Sequence, residues 1–290
     1  MSITSILLDG LSLGAIYALI ALGYTMVYGI AKLLNFAHGD VIMVGSYAIL
    51  TMLNVWGNPI VAIVVAVVVC TVCGIVIERL AYRPLRGASP LAVLITAIGV
   101  SYFLQSLAQL IYGAKSQPVT LPSFGTITIG SAKVSGGTII TLVVGAIIMT
   151  GLTLFVKYTR TGRAMLAVSE DRAAAHLMGV NVNRIIMITF AIGSSLAAFA
   201  SLFYLMQIPS TNPTLGSMPG IKAFVAAVIG GIGSIPGAMI GGVLLGLIEK
   251  TCLSIEAVSA YTTAIEFSLL ILILLIKPIG ILGKKRRVKV

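Results

Sequence analysis

Cys70 and Cys73 stand at the C-x-x-C spacing that zinc and dithiol sites use, yet both lie inside a charge-free Val/Ile/Ala run without a histidine or a second pair beside them. They are read as packing groups of a helix. Of the two histidines, His38 lies two residues before Asp40 in a short polar break, where it can orient a turn or pass a proton. His176 lies in a longer polar segment. Neither has the convergent partners of a nucleophile or a metal site. Carboxylates are scarce: Asp40 and Glu78 at one end of apolar runs, Glu249 and Glu256 near the other, and Glu266 early in the last run. A carboxylate inside a membrane is a candidate for ion or proton handling, whereas one at an interface is ordinarily hydrated. The chain also lacks G-x-x-x-x-G-K-[ST], the loop that cradles nucleotide phosphates. No catalytic residue, metal or bound cofactor is therefore expected, and any nucleotide must be held by another chain.

The elements that position these residues are membrane helices. Hydrophobic residues make up 58% of the 290 and charged ones 9%, against about a quarter charged in soluble proteins. Stretches without Asp, Glu, Lys or Arg cover 10–31, 41–77, 87–114, 134–156, 185–221 and 223–248. A helix needs about 20 residues to cross the hydrocarbon, and 41–77 is broken by Gly57-Asn58-Pro59 and holds two. The runs are too long and too uniformly apolar for barrel strands. The expected fold is an all-α, multi-pass membrane domain over 1–290, with about eight spans and some interrupted or half-length segments. Its outer surface meets lipid.

The net charge of +11 sits in short loops and at the end of the chain, so it reads as a topology signal and not as a nucleic-acid footprint. Alternating the loops puts fifteen of the 19 basic residues on one side: Lys32, Arg79, Arg83, Arg86, five in 157–184, Lys277 and five in the tail 284–290. Lys115, Lys133, Lys222 and Lys250 are left for the other. That bias predicts an external N-terminus, with the 157–184 segment and the tail in the cytoplasm. The absence of basic residues before Lys32, with Asp9 ahead of the first run, speaks against a cleavable signal peptide.

Two apolar stretches are interrupted. The first break runs through Asn35, His38 and Asp40. The second, Gly230-Gly231-Ile232-Gly233-Ser234-Ile235-Pro236-Gly237, reads as a cytoplasmic-side turn between two half-length helices within 222–249. Irregular backbone at membrane depth survives only when buried in protein or lining a wet cavity. Paired breaks can mark inverted repeats and a path across the membrane, so Asn35, His38, Asp40, Gly233, Ser234 and Pro236 are the candidates for lining one. The Thr-, Ser- and Gly-rich 113–137 loop, with Thr126-Ile127-Thr128-Ile129, reads as a small external hairpin.

The longest polar island, 157–184, carries five basic residues and two of the eight acidic ones. Ser169 is expected to cap a helix of about two turns whose first residues, Glu170 and Asp171, complement its positive end and which stops at Gly179. Ala173, Ala174, Ala175, Leu177 and Met178 give it a small apolar face, flanked by Arg163, Arg172 and Arg184. Such a helix either lies on lipid headgroups or is covered by a soluble partner.

Three segments, GLSLGAIYALIALGYTMVYGIAKLLNFAHGD, TGRAMLAVSEDRAAAHLMGVNVNR and AVIGGIGSIPGAMIGGVLLGLIE, resemble in order the LivH-type permeases of bacterial branched-chain amino acid ABC importers. The resemblance covers essentially the whole chain. It implies an inner-membrane permease working with a second, related permease, two cytoplasmic ATPases that hold ATP and magnesium, and a periplasmic amino-acid-binding protein. It also implies that the island is the coupling helix, through Arg163, Ser169, Glu170, Asp171, Ala173, Ala174, Ala175 and Gly179. Many importer permeases carry E-A-A-x-x-x-G there; here Ala173-Ala174-Ala175-His176-Leu177-Met178-Gly179 replaces the Glu by Ala173. The alternatives are a permease for urea or short amides, or a gradient-driven carrier using Asp40, His38 or Glu266.

Overall fold

Turn chemistry cuts the apolar runs where the sequence provides it. In the computed structural model, which describes residues 3–283 apart from 123, 130 and 131, helix α1 spans Ile3–Ala31 and α2 His38–Trp56. Gly57 closes α2 with φ +66°, Asn58 accepts from the first amides of the next helix, and Pro59 starts α3, Pro59–Ile77. A π-helical turn over Glu78–Tyr82 prolongs α3. Ser89 and Pro90 likewise start α4, Pro90–Tyr112.

Within 113–137, strands β2 (Thr126–Ile129) and β3 (Ala132–Ser135) pair antiparallel as the expected hairpin, after a short β1 (Gln117–Pro118). Helix α5 follows (Gly136–Tyr158), then the short α6 (Arg160–Glu170) and α7 (Arg172–Leu177), and then α8 (Val182–Gln207). A two-residue β4 (Ser210–Thr211) pairs with β1 and precedes α9 (Ser217–Gly230). The chain ends in α10 (Ile235–Ser254), α11 (Glu256–Ser259) and α12 (Thr262–Ile276). The tail 284–290 lies outside the described residues.

Among the described residues seven helices are long and apolar enough to cross a membrane, and α9 and α12 are shorter apolar helices. The expectation of two half-length helices within 222–249 needs correcting. Only α9 is short, with 14 residues; α10 has 20 and can cross. Helix α9 also starts earlier than its run of apolar residues suggests, because Pro219 sits in its first turn, where a missing N–H costs nothing.

The centre of the bundle is α1, which packs on α10, α8, α9 and α5. It lies against α10 at backbone distance, since a Cβ on Gly14 would fall 2.7 Å from the Val243 Cα. Small residues permit such an approach in lipid, where dispersion contacts, not water exclusion, drive helix association. Helix α4 is the opposite case: Leu91, Ile95, Tyr102, Phe103, Leu110 and Ile111 are all exposed. An apolar surface of this extent faces lipid or another protein.

Candidate functional site

The break 32–37 does not simply end one span and start another. The chain turns back along α1 until His38 lies against Gly23, so α2 begins about 12 Å inside the end of α1 at 1.5 Å per residue. His38 packs edge-on against Tyr24, with ring centroids 4.9 Å apart. From the opposite end, Gln207 at the close of α8 bonds Ser12 at 3.2 Å, and the chain then runs inward to Gly216, beside Gly39. A Cβ on Gly39 would lie 2.5 Å from the Gly216 carbonyl oxygen. Two helix starts, α2 and α9, thus meet backbone to backbone deep in the bundle, each without a side-chain cap. Their positive ends converge there.

Asp40, in the first turn of α2, is buried and accepts a hydrogen bond from Gln105 Nε2 of α4 at 2.8 Å. The same amide reaches Ser101 Oγ at 3.2 Å and Ser217 Oγ at 3.3 Å, tying α2, α4 and α9 together. Asn35 takes another role: its Oδ1 accepts from the buried Tyr82 hydroxyl at 2.9 Å, which holds the break against the end of α3. Gly233, Ser234 and Pro236 do not join this centre. Gly233 and Ser234 lie in the turn between α9 and α10, at the end of the bundle near Gly29, and Pro236 lies in the first turn of α10, which Ser234 caps by accepting from Gly237 N–H at 3.3 Å. Asn35 and Ile232 line one small pocket, so the two breaks are neighbours at 32–35, and the deeper part of the first break, at Gly39, meets Gly216.

A second buried polar group escaped the sequence reading. Lys222 is not a loop charge but lies inside α9, with its Nζ 2.7 Å from Glu249 of α10 and 3.2 Å from Glu266 of α12. The Tyr17 hydroxyl of α1 donates to Glu249 at 2.6 Å. The signal was the position of Lys222 and Glu266 within otherwise apolar helical stretches. Charge counting, which treats lysine as a loop marker, hid it. At the end carrying the basic loops Glu78 pairs with Arg86, which also bonds Asn183 in the last residues of the island. Cys70 is buried, with its thiol donating to the Val41 carbonyl at 3.5 Å, and so packs α3 on α2.

The island holds two helices, not one. Thr159 caps α6 by accepting from Gly162 N–H at 3.0 Å, and Asp171 caps α7 by accepting from the amides of Ala173 and Ala174 at 2.8 and 3.0 Å. Ser169 is therefore not the cap. It lies in the last turn of α6 and bonds back to the Leu166 carbonyl. Asp171 stands next to the helix in extended backbone, and a carboxylate there also answers the positive helix end. Gly179, at φ +83°, stops the segment as expected. Arg172 donates to the Ala31 carbonyl at the end of α1, and burial together with the charge of Arg86 lowers its pKa. Ala175 is buried beneath α7, whereas Arg163, Glu170, Ala173, Ala174, His176, Leu177 and Met178 are exposed. Leu177 and Met178, 86% and 84% exposed, form an apolar knob outside the bundle.

Residues 6–275 match the family described as "Branched-chain amino acid transport system / permease component". The high-affinity branched-chain amino acid transport system permease protein BraD of Pseudomonas aeruginosa is 45% identical, with 98% of this chain and 97% of BraD covered. The corresponding permease protein LivH of Escherichia coli is 44% identical over 97% of this chain and 96% of its own length. Among solved structures, PsaBC from Streptococcus pneumoniae in complex with Fab is similar in fold, with a TM-score of 0.51 at 17% identity over 95% of this chain and 91% of that one.

Proposed function

Because the chain belongs to the family of permease components of branched-chain amino acid transport systems, we propose that it is a membrane subunit of an ATP-driven importer of leucine, isoleucine and valine in the bacterial inner membrane. The observation that carries this is the likeness to BraD and LivH along nearly the full length of each. The chain supplies half of the translocation path, and a second, related permease supplies the other half. The exposed apolar faces of α3 and α4 suit such a partner. Two cytoplasmic ATPases hold the ATP and magnesium, and a periplasmic binding protein delivers the cargo. In this arrangement the N-terminus is external and 157–184 lies in the cytoplasm, in keeping with the basic bias.

Coupling runs through α6 and α7. The knob of Leu177 and Met178 enters a groove of an ATPase, and Arg172 links α7 to the end of α1. Closure of the ATPases then moves a braced segment, and its different contacts in the two states bias the bundle between outward and inward access. The meeting of α2 and α9 at Gly39 and Gly216 is where access changes sides.

Mild-detergent purification of the tagged chain, with co-purifying subunits identified by mass, tests the reading. P-loop ATPases and a second permease are expected. This chain alone, still active in liposomes, would overturn it in favour of a gradient-driven carrier. Ala174→Arg is expected to abolish leucine uptake and ATPase recovery while leaving the subunit in the membrane; normal uptake would remove the coupling assignment.

A further inference from the structure

We propose that the seam between α2 and α4 is a binding station for the transported amino acid. Asp40 takes the α-ammonium group, and an apolar groove one helical turn away takes the aliphatic side chain. This rests on the reading that the cargo is a branched-chain amino acid.

The first observation is a charge without a counter-charge. Glu78 lies within ion-pair distance of Arg86, and Glu249 and Glu266 share Lys222. Asp40, 2% exposed, belongs to no ion pair among the described residues. Its partner Gln105 and the neighbouring Ser217 supply neutral dipoles only. The start of α2 contributes about half a unit of positive charge, which answers the carboxylate in part. A carboxylate held away from water is costly unless a cation meets it. An ammonium group that arrives and leaves satisfies that need without blocking the path.

The second observation is what lies next along the same seam. One helical turn on from Asp40 lies a groove of about 300 Å³ between α2, α4 and α3, with Met43, Tyr47, Ala48 and Ala108 on its walls and the exposed Val69 and Leu107 at its rim. That is the lower end of the range for small-molecule sites. Helical periodicity puts Asp40, Met43, Tyr47 and Thr51 on one face of α2, toward α4. At the far end the rings of Tyr47 and Tyr112 stack at 4.2 Å, and Thr51 bonds the Tyr112 hydroxyl at 2.8 Å. The Tyr47 hydroxyl itself is buried with no hydrogen-bond partner among the described residues. It is an unused polar group on the wall of an otherwise apolar space. Carboxylate, then apolar groove, is the order in which a leucine presents ammonium and side chain.

The test is equilibrium binding of tritiated leucine to the assembled importer in lipid nanodiscs, without the binding protein, displaced by alanine or by the 2-hydroxy acid that carries a hydroxyl in place of the ammonium. Wild type is expected to prefer leucine to the hydroxy acid at least tenfold. Asp40→Asn should weaken leucine tenfold or more and bring that preference to within about threefold, as loss of a charged hydrogen bond predicts. Ala48→Phe, which fills the groove, should weaken leucine tenfold or more and alanine less than threefold. A helix-end role for Asp40 would move stability but not the ammonium preference. An unchanged preference in Asp40→Asn overturns the ammonium site. An unchanged leucine-to-alanine ratio in Ala48→Phe means that lipid or a partner side chain fills the groove, and overturns the proposal, as does wild type with no saturable leucine binding. Leucine uptake by wild-type cells separates these failures from failure of the importer reading: if such cells take up no branched-chain amino acid, both fall together.

Discussion

Lys222 is met inside the bundle by Glu249 and Glu266, whereas Asp40 is met by an amide and hydroxyls alone. Both groups are buried, and both lie near the start of a helix that begins inside the bundle. In the first, two carboxylates on α10 and α12 share the one ammonium of α9 and tie that short helix in place. The second leaves room for a charge from outside. Buried ionisable groups in a membrane protein are thus not of one kind: whether the partners are supplied by the fold separates a brace from a binding group.

The largest expected effect falls on the brace. Lys222→Met leaves two carboxylates buried without their cation and is expected to cost about 3–5 kcal/mol, seen as a lowered melting temperature in detergent. Adding Glu249→Gln and Glu266→Gln should recover much of the loss; an unchanged melting temperature in the single variant would break the comparison. Tyr17→Phe removes one hydrogen bond to a charged group of the same brace, for about 1.5–3 kcal/mol by the same measurement. Outside the bundle, Asp171→Ala is expected to cost about 1 kcal/mol and to speed amide exchange over α7, while Ser169→Ala leaves exchange there unchanged. Asp40→Asn sharpens the contrast from the other side. It is expected to change stability by less than about 1 kcal/mol and yet to abolish most leucine uptake, because the asparagine oxygen can still accept from Gln105 while the charge that is removed has no counter-charge among the described residues.

The spans and their ends were legible because local chemistry dictates them. Asn58 with Pro59 and Gly179 act on the residues beside them, and the structure uses each as expected; Ser89 with Pro90 start α4 by the same local chemistry. Two cap-competent side chains near each other were not separable: Ser169 and Asp171 both qualify, and only the extended backbone at Asp171 decides. Depth was not legible either. Nothing in 208–217 announces that the chain re-enters the bundle to bring Gly216 against Gly39, since that contact depends on where α8 stops relative to α1. Lys222 was misplaced for the same reason, as its partners come from 27 and 44 residues further on.

The contact between α1 and α10 bears on how the subunit is made. Tyr17 and Glu249, joined across it, are 232 residues apart in the chain. At about 5–20 residues per second a ribosome needs roughly 10–50 s to supply the second after the first. Throughout that interval the glycine face of α1 has only lipid or the insertion machinery against it. The two sides of this central contact thus enter the membrane at different times, α1 well before α10. Chains cut short before Gly242 lack the surface on which α1 rests, which makes them natural targets for membrane proteolysis and not partly working subunits.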